Sequence, residues 1–325
     1  MSNRSQIEWT DATWNPVTGC TKVSAGCTNC YAETFAERWR GIPGHHFKDG
    51  FDLRMRPARL AQPLGWRAPR RVFVNSMSDL FHDGVPDEYI ASVFAVMIAA
   101  PQHTFQVLTK RHARMRALLT SHDFALTAYK LAISTYRTTV RAGWPLPNVW
   151  LGVSVENQQW ADIRVPALLD TPAAVRFLSA EPLLGPVDLT AWLKRPQIPA
   201  RERCRCTCHP HRPAIDWVIT GGESGPRARP AHPGWFRSLR DQCRAGGVAY
   251  FHKQHGAYTW QLNGPDRAPD LYVNAFTGHT CDPGDVPVGG GWEAVWRVGK
   301  KAAGRVLDGR TWDGMPERGS GSEAA

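Results

Sequence analysis

Short apolar runs alternate with segments of helical periodicity along most of the chain. Six apolar runs predict β-strands, at residues 72–75, 105–109, 149–154, 175–179, 217–220 and 248–252. Apolar positions that recur with helical spacing predict helices at residues 87–99, 112–119, 158–169 and 235–245. Strands and helices that alternate in this way favour a parallel sheet with helical crossovers. We therefore expect an α/β fold, namely a full or partial (β/α) TIM-like barrel of parallel strands with inserted loops and an irregular C-terminal cover.

The same pattern predicts how the chain is divided. Residues 1–255 form the predicted barrel, with residues 7–10 as its opening strand, and no glycine-rich dinucleotide-binding sequence supports a Rossmann fold instead. Two segments interrupt the alternation and are interpreted as insertions, one helical near residues 122–147 and one basic near residues 193–213. Residues 256–317 are rich in Gly, Pro and Trp with weak periodicity, so they predict a cover segment. Residues 318–325 are small and polar and predict a disordered tail.

The chain is strongly basic. Lys and Arg number 39 against 29 Asp and Glu, which gives a net charge of +10. Such a charge permits binding to nucleic acid or another polyanion. No apolar run has the length of a transmembrane helix, and residues 1–10 lack the apolar stretch of a signal peptide. We therefore expect a cytoplasmic protein with no membrane partner, in which the eight cysteines are reduced.

Three cysteines near the N-terminus carry the most specific chemical signal. Cys20, Cys27 and Cys30 have the spacing C-x6-C-x2-C, and Tyr31 follows directly. A closed structural zinc site needs four ligands, whereas a 4Fe-4S cluster held by three cysteines leaves one iron open. Radical chemistry with S-adenosylmethionine (SAM) requires that open iron, because the amino and carboxylate groups of SAM bind there. We therefore predict that these three cysteines hold a 4Fe-4S cluster.

Two other interpretations of the cysteines remain open. Cys27 and Cys30 have the spacing of half a zinc site, which Cys20 and either His45 or His46 would complete. The protein would then be a zinc-stabilised, basic nucleic-acid-binding protein without catalysis. Alternatively, the three cysteines are free thiols in the core, where unreacted cysteine is common.

A second group of metal-binding residue types lies in the basic insertion. Cys204, Cys206, Cys208, His209 and His211 form a short tract whose composition is typical of metal binding. It would hold zinc or an auxiliary iron–sulfur cluster. The tract has no recognised ligand spacing, so a solvent-exposed basic loop is an equally good interpretation.

Polar residues follow the predicted strands in a consistent way. In a (β/α) barrel, functional side chains lie at the carboxyl ends of the strands. The candidates for contact with SAM or substrate at these positions are Ser76, Asp79, Lys110, Ser154, Glu156, Glu181, Glu223 and Lys253. The carboxylates would accept hydrogen bonds from an amine or from ribose hydroxyls, and Lys110, Arg111 or Lys253 would bind a carboxylate or phosphate. The Gly221-Gly222-Glu223 sequence fits either a SAM contact or a tight turn that needs glycine.

Several segments together resemble the three-Cys-motif bacteriophage protein family. They are, in order, NPVTGC at 15–20, CYAE at 30–33, VFVNSMSDLF at 72–81, LTKR at 108–111, WLGVSVEN at 150–157, RFLSAEPL at 176–183, DWVITGGESG at 216–225, FHKQ at 251–254 and AGRVLDGRTW at 303–312. The resemblance covers most of the chain. That family occurs in phages, prophages and bacteria and is similar to radical SAM enzymes, although its reaction is unassigned.

The resemblance implies a radical-SAM-like iron–sulfur protein that cleaves SAM to a 5′-deoxyadenosyl radical. It also implies an electron donor such as flavodoxin or ferredoxin, and a separately encoded partner protein. The basic charge and the occurrence of the family in phages together favour a nucleic acid or nucleotide as its substrate. Two features depart from the usual radical SAM pattern. The first cysteine gap is six residues where three are usual, and Gly-Gly-Glu comes late in the chain, with Asn75-Ser76-Met77 at its usual place.

Overall fold

The computed structural model describes residue 5 and residues 7–139, 143–193, 214–261 and 267–316. Its helices are α1 Tyr31–Glu37, α2 Asp87–Ala99, α3 His112–Leu119, α4 His122–Tyr136, α5 Gln158–Leu169, α6 Thr190–Leu193, α7 Pro233–Gly246 and α8 Lys300–Ala303. Its strands are β1 Ala12–Trp14, β2 Val17–Thr18, β3 Arg54–Met55, β4 Arg71–Val74, β5 Thr104–Thr109, β6 Val149–Ser154, β7 Val175–Ala180, β8 Trp217–Gly221, β9 Ala249–Gln254, β10 Tyr258–Thr259, β11 Leu271–Asn274, β12 Thr280–Cys281 and β13 Trp292–Arg297.

Seven parallel strands form the central sheet, in the order β1-β4-β5-β6-β7-β8-β9. The sheet curls into a half-barrel, and within the described residues its two edge strands, β1 and β9, do not pair with each other. The expectation of an α/β fold with a partial barrel of parallel strands is therefore confirmed. Because all seven strands are parallel, their carboxyl ends meet at one edge of the sheet.

Successive side chains along these strands point to opposite faces of the sheet and so belong to two different apolar clusters. One set points to the helices and packs with residues such as Phe94 and Phe236 in the main core. The other set points to the inside of the curl, where the aromatic rings include Trp9, Phe73 and Trp217. The Trp9 and Phe73 ring centroids lie 4.7 Å apart. The inside of the half-barrel is therefore filled with aromatic side chains below the carboxyl ends of the strands.

The periodicity located most elements well. The helices at 87–99, 112–119 and 158–169 begin and end where their apolar spacing predicts. The prediction of an opening strand at residues 7–10 was wrong, because those residues turn and the strand begins at Ala12. The turn is fixed by a hydrogen bond from the Thr10 amide to the Ile7 carbonyl and by a buried Trp9 side chain.

The predicted insertion near residues 122–147 contributes to the core. Its helix α4 packs along α2, and Phe124 contacts Phe94 with ring centroids 5.6 Å apart. The insertion near residues 193–213 lies outside the described residues, apart from Leu193. The predicted tail at 318–325 lies outside them as well.

The C-terminal segment is more regular than its sequence indicates. Strands β10 to β13 form an antiparallel sheet in the order β10-β13-β11-β12. Two of these strands are only two residues long and much of the sheet is half-buried, so the alternation of apolar and polar residues is too short to be recognised. Within the described ranges, no helix combines the length and apolar character needed to span a bilayer.

Candidate functional site

The three cysteines lie on one loop, residues 19–30, which we call the cysteine loop. It leaves β2 at Gly19, whose φ of 84° and close approach to the Asp52 carbonyl, 2.1 Å from an added Cβ, require glycine. A short 3-10 turn, Ala25–Cys27, follows, and Cys30 directly precedes α1. The loop therefore presents its three thiols over the carboxyl ends of the parallel strands.

A cavity of about 540 Å³ lies between this loop and the strand ends. All three cysteines line it, together with most of the predicted contact residues, namely Ser76, Asp79, Lys110, Ser154, Glu181, Glu223 and Lys253. Glu156, the remaining candidate, is fully buried behind the wall. The structure thus brings together residues that are far apart in the sequence, as the barrel prediction requires. Their contact with SAM or substrate stays a prediction.

Asp79 binds the end of β5 and lies beside Arg111, which in turn contacts Cys20. The Asp79 carboxylate accepts hydrogen bonds from Thr109 Oγ1 at 2.7 Å and from the Lys110 amide at 2.9 Å. It also lies 3.7 Å from Arg111 Nη1. Arg111, which is 8% exposed, places that same nitrogen 3.5 Å from Cys20 Sγ. Asp79 is therefore a positioning residue for the arginine that contacts the first cysteine.

The environment of Cys20 favours its protonated form in the free protein. Burial raises the pKa of the Cys20 thiol to about 11, and Asp79 adds to this rise while Arg111 opposes it. A metal ligand must be the thiolate, so metal binding at Cys20 has to displace a proton. Loading of any metal at this position is accordingly easier at higher pH.

Glu156 hydrogen-bonds to the cysteine loop from below. Its Oε1 accepts from Ser24 Oγ at 2.6 Å, and Ser24 Oγ lies 3.8 Å from Cys27 Sγ. Its Oε2 accepts from Arg164 Nη1 at 2.8 Å, and neither charged side chain is exposed to solvent. Glu156 therefore links the middle of the cysteine loop to an ion pair in the core of the protein.

Glycine is required at position 26 because the loop lies directly on Glu156. A Cβ added to Gly26 would lie 2.4 Å from Glu156 Oε1 and 2.5 Å from its Cγ. Glu156 cannot move aside without breaking its bonds to Ser24 and Arg164. We expect Gly26→Ala to lower the free energy of unfolding by about 1–3 kcal/mol, as measured by chemical denaturation. Gly65→Ala is the control, because nothing lies within 4 Å of its added Cβ; equal losses in both variants would contradict this account.

Glu223 holds the end of the cysteine loop. Its carboxylate accepts from Arg229 Nη2 at 2.7 Å, from Arg229 Nε at 2.9 Å and from Asn29 Nδ2 at 3.0 Å. Arg229 also donates to the carbonyl of Ala25. Burial opposes ionisation of Glu223, but hydrogen bonds from Arg229 and Asn29 outweigh it, so the pKa of this carboxyl is lowered. Asn29 lies between Cys27 and Cys30, so this network fixes the second half of the loop.

Lys110, Ser154, Glu181 and Lys253 also line the cavity. Lys253 Nζ donates to Glu181 Oε1 at 2.7 Å. Lys110 Nζ donates to Ser154 Oγ at 3.2 Å and lies 3.7 Å from Glu156 Oε1. These ammonium groups and the Glu181 carboxylate provide charges of both signs, which suits a zwitterionic ligand.

Ser76 contributes through its backbone. Its carbonyl accepts from the Tyr31 hydroxyl at 2.5 Å, and its own hydroxyl donates to Asn15 Oδ1 at 3.2 Å. The residue directly after Cys30 is thereby attached to the loop after β4.

No group of three or more His, Cys, Asp or Glu side chains among the described residues is close enough to hold a single metal ion. His45 stacks on Trp39 with ring centroids 4.1 Å apart, and His46 packs against Phe47. Ligands of a cubane cluster bind separate corners and so lie further apart than the ligands of one ion. The second predicted metal group, Cys204, Cys206, Cys208 and His209, lies outside the described residues.

Four residues that support the cysteine loop were missing from the predicted set, namely Ser24, Asn29, Arg164 and Arg229. Arg111 was predicted from its position after a strand, and the structure places it at the cavity and against Cys20 Sγ. Arg164 lies within helix α5, whose pattern shows nothing unusual at that position, and its partner Glu156 is on another element. Only the tertiary structure identifies such pairs.

His252, beside Lys253, is fully buried and hydrogen-bonded. Its ring nitrogens lie 2.9 Å from Thr220 Oγ1 and 3.0 Å from His255 Nδ1. Burial lowers its pKa well below the usual value, so it remains neutral. His252 is therefore a core histidine whose ring nitrogens both have hydrogen-bond partners.

The comparisons with known proteins leave the reaction open. Neither the curated proteins nor the solved structures contained a match. Residues 4–316 match a family described as "protein of unknown function (DUF5131)". That match spans almost all of the 325 residues. The chain therefore belongs to the DUF5131 family.

Proposed function

We propose that this protein is a radical-SAM-like iron–sulfur enzyme, in which Cys20, Cys27 and Cys30 hold a 4Fe-4S cluster beside a SAM-binding cavity. The observation that carries the proposal is the position of the three thiols. One loop brings them to the same cavity as seven of the eight polar residues predicted to contact ligand. The substrate would be a nucleic acid or nucleotide, in keeping with the net charge of +10.

Three cysteine thiols are suitable ligands for a 4Fe-4S cluster that also binds SAM. Thiolates are the ligands that iron–sulfur clusters take from proteins, and three of them leave one iron for SAM. When both are bound, the cluster and SAM would supply a 5′-deoxyadenosyl radical. One electron from a donor such as flavodoxin or ferredoxin would break a carbon–sulfur bond of SAM and release methionine. The chain itself provides the cavity and the positions of the polar groups around it.

Several side chains have roles that follow from their contacts. Arg111 donates toward Cys20 Sγ, and hydrogen bonds to ligand sulfur stabilise the thiolate and raise the reduction potential. Glu156 and Glu223 hold the two halves of the cysteine loop in place. Lys110 is oriented to bind an anionic group, and the Glu181 carboxylate to accept from an amine.

The iron and acid-labile sulfide content of anaerobically purified protein tests the proposal. We expect about four irons per chain in the wild type and none in the Cys20→Ala/Cys27→Ala/Cys30→Ala variant. Cys243→Ala is the matched control, since Cys243 is buried in the core on α7 and away from the cavity, and it should keep its iron.

Two results would overturn the proposal. Stoichiometric zinc without iron after reconstitution would favour a zinc-stabilised nucleic-acid-binding protein, whose affinity for nucleic acid should then fall steeply with salt. Iron that persists in the triple variant would mean that other residues bind it. Once iron is located at the loop, SAM cleavage under reducing conditions is the next assay.

A further inference from the structure

One face of helix α1 is open to solvent beside the central cavity. Ala32 and Ala36 are buried on the side of the helix that packs against the rest of the protein. The side chains exposed on the other side recur three, four and seven positions after the first, namely Tyr31, Thr34, Phe35 and Arg38. Residues at these spacings are neighbours on one side of a helix. We call these four residues the open face of α1.

Tyr31 joins the open face of α1 to the cavity. It lines the cavity and yet is 58% exposed, so its ring lies at the mouth. Phe35 lies one helical turn further along the chain, is 44% exposed, and is not among the residues that line the cavity. Two exposed aromatic rings therefore follow each other outward from the mouth of the cavity along the helix.

The Phe35 ring is fixed in position by two other aromatic rings. Its centroid lies 5.7 Å from that of Phe47 and 6.5 Å from that of Trp39, and both pairs meet edge to face. Such contacts stabilise a ring in a defined orientation. Nearly half of the Phe35 side chain stays exposed all the same. A fixed and exposed aromatic ring is a platform on which any nucleobase can stack.

Cations without partners accompany these rings. Arg38 lies on the open face of α1, and Lys48 directly follows Phe47. Both are exposed, and neither side chain has a carboxylate partner within the described ranges. The acidic residues of α1 do not compensate these charges, because each is already paired with another cation, namely Glu33 with Lys22 at 2.9 Å and Glu37 with Arg40 at 2.6 Å.

The histidine beside Phe47 reports further positive charge at the same place. The His46 and Phe47 ring centroids lie 4.7 Å apart. Burial lowers the pKa of His46 to about 4, and the charges of Arg56 and Arg59 contribute to this shift. Arg56 also donates to the His46 carbonyl at 2.9 Å. The surface next to the aromatic rings therefore attracts anions such as phosphate groups.

The size of the cavity limits which form of nucleic acid can enter it. Its volume of about 540 Å³ suits a single small molecule or nucleotide. An enzyme that acts on a base either takes that base out of the duplex or binds a single strand. A surface beside the mouth that stacks bases would keep the neighbouring nucleotides unpaired.

We propose that the open face of α1 binds single-stranded nucleic acid and leads the strand into the cavity, with a base stacked on Phe35 and phosphates near Arg38 and Lys48. The inference rests on the proposed function for the choice of nucleic acid as substrate class, but not for the cluster. Unpaired cations beside the rings favour a polyanion over an apolar protein surface as the occupant.

Fluorescence anisotropy of labelled strands tests the proposal. The probes are oligothymidylate and oligouridylate of about 20 nucleotides, longer than one such site covers, and the duplex of the oligothymidylate with its complement. We expect the full-length protein to bind at least one of the single strands about tenfold or more tightly than the duplex at the same salt concentration. No cluster is needed for this measurement, so it can fail while the iron assay succeeds, and the reverse.

Variants of Phe35 test the stacking. Phe35→Leu keeps an apolar side chain but removes the ring, so it should weaken binding of the single strand by about 5–100-fold. Phe35→Tyr keeps the ring and should retain the affinity. Phe276→Leu is the matched control, because Phe276 is 75% exposed after β11 and does not line the cavity; it should bind as the wild type does.

A variant of Arg38 tests the phosphate contact. Arg38→Gln should weaken binding of all sequences and reduce the slope of log affinity against log salt concentration by about one. Arg67→Gln is the control and should keep the slope, because Arg67 is exposed but precedes β4, toward the amino end of the sheet and away from the cavity. Thermal unfolding monitored by circular dichroism verifies that each variant is folded.

Three results would overturn the proposal. One is a wild-type protein that binds no single strand, or binds the duplex as tightly; self-association that Phe35→Leu abolishes would then assign the open face of α1 to a second copy of the chain. Another is an unchanged affinity in folded Phe35→Leu protein. The third is an equal loss of affinity in Phe35→Leu and Phe276→Leu.

Discussion

Replacing Arg164 with methionine is expected to lower the free energy of unfolding by about 3–5 kcal/mol. Arg164 donates to Glu156 Oε2 at 2.8 Å and to the Ser154 carbonyl at 2.9 Å, and both members of the ion pair are fully buried. Burial lowers the pKa of Arg164, and Glu156 opposes that shift. Without the guanidinium, the Glu156 charge would remain in the core, where Lys110, 3.7 Å away, balances it less closely than Arg164 does at 2.8 Å.

Two further variants distinguish the effect of the buried charge on stability from the effect of lost packing. Methionine keeps an unbranched apolar chain that can still contact Trp160, whose ring lies 4.0 Å from the guanidinium carbon. A Glu156→Gln/Arg164→Met double variant should recover much of the loss, because it no longer buries an unpaired charge. Arg116→Met is the control, since Arg116 pairs with Asp170 at the surface and should cost less than about 1 kcal/mol.

Urea denaturation of the four proteins gives these values. If Arg164→Met lowers the free energy of unfolding no more than Arg116→Met does, the buried ion pair does not stabilise the protein. An equal loss in the single and double variants would assign the effect to packing instead of charge.

If the cysteine loop holds the proposed cluster, replacing Glu223 with glutamine is expected to weaken iron retention by about 10–100-fold, as the loss of residues that support metal ligands does. A glutamine whose oxygen takes the place of Oε2 can still accept from Arg229 Nε and Asn29 Nδ2. Its nitrogen, which is a donor, then faces Arg229 Nη2, so that hydrogen bond is lost together with the negative charge that attracts the guanidinium. The rate of iron loss to a chelator, measured anaerobically, is the readout.

A matched carboxylate provides the control. Asp308 also accepts hydrogen bonds from two arginines, Arg237 and Arg240, but it does not line the cavity. Asp308→Asn should therefore leave iron retention unchanged. Equal rates of iron loss in Glu223→Gln and the wild type would contradict a role of Glu223 in holding the loop.

The pH dependence of stability gives a second readout for Glu223. Its pKa is lowered below 4.5 in the folded protein, so its ionised form is favoured by folding. Its contribution to stability is complete above the unfolded-state pKa and is lost as pH falls through the folded-state pKa. The stability difference between the wild type and Glu223→Gln should accordingly be constant near neutral pH and shrink below pH 4.5.

Local patterns in the chain are sufficient to predict the class of fold, because helical and strand periodicities depend only on neighbouring residues. They located α2, α3 and α5 to the residue, and the strand-end rule selected seven residues that do line one cavity. The regular strands are long enough for their apolar runs to be recognised. The two-residue strands of the C-terminal sheet are too short, and only pairing with their neighbours defines them.

Other features depended on the tertiary structure alone. The pairing of Glu156 with Ser24 joins residues 132 positions apart, and the contact of Asn29 with Glu223 spans 194 positions. Local patterns contain no signal for such contacts, since they depend on how the sheet curls and where the cysteine loop comes to lie on it. For the same reason, the residues at the strand ends line one cavity only because the sheet curls into a half-barrel.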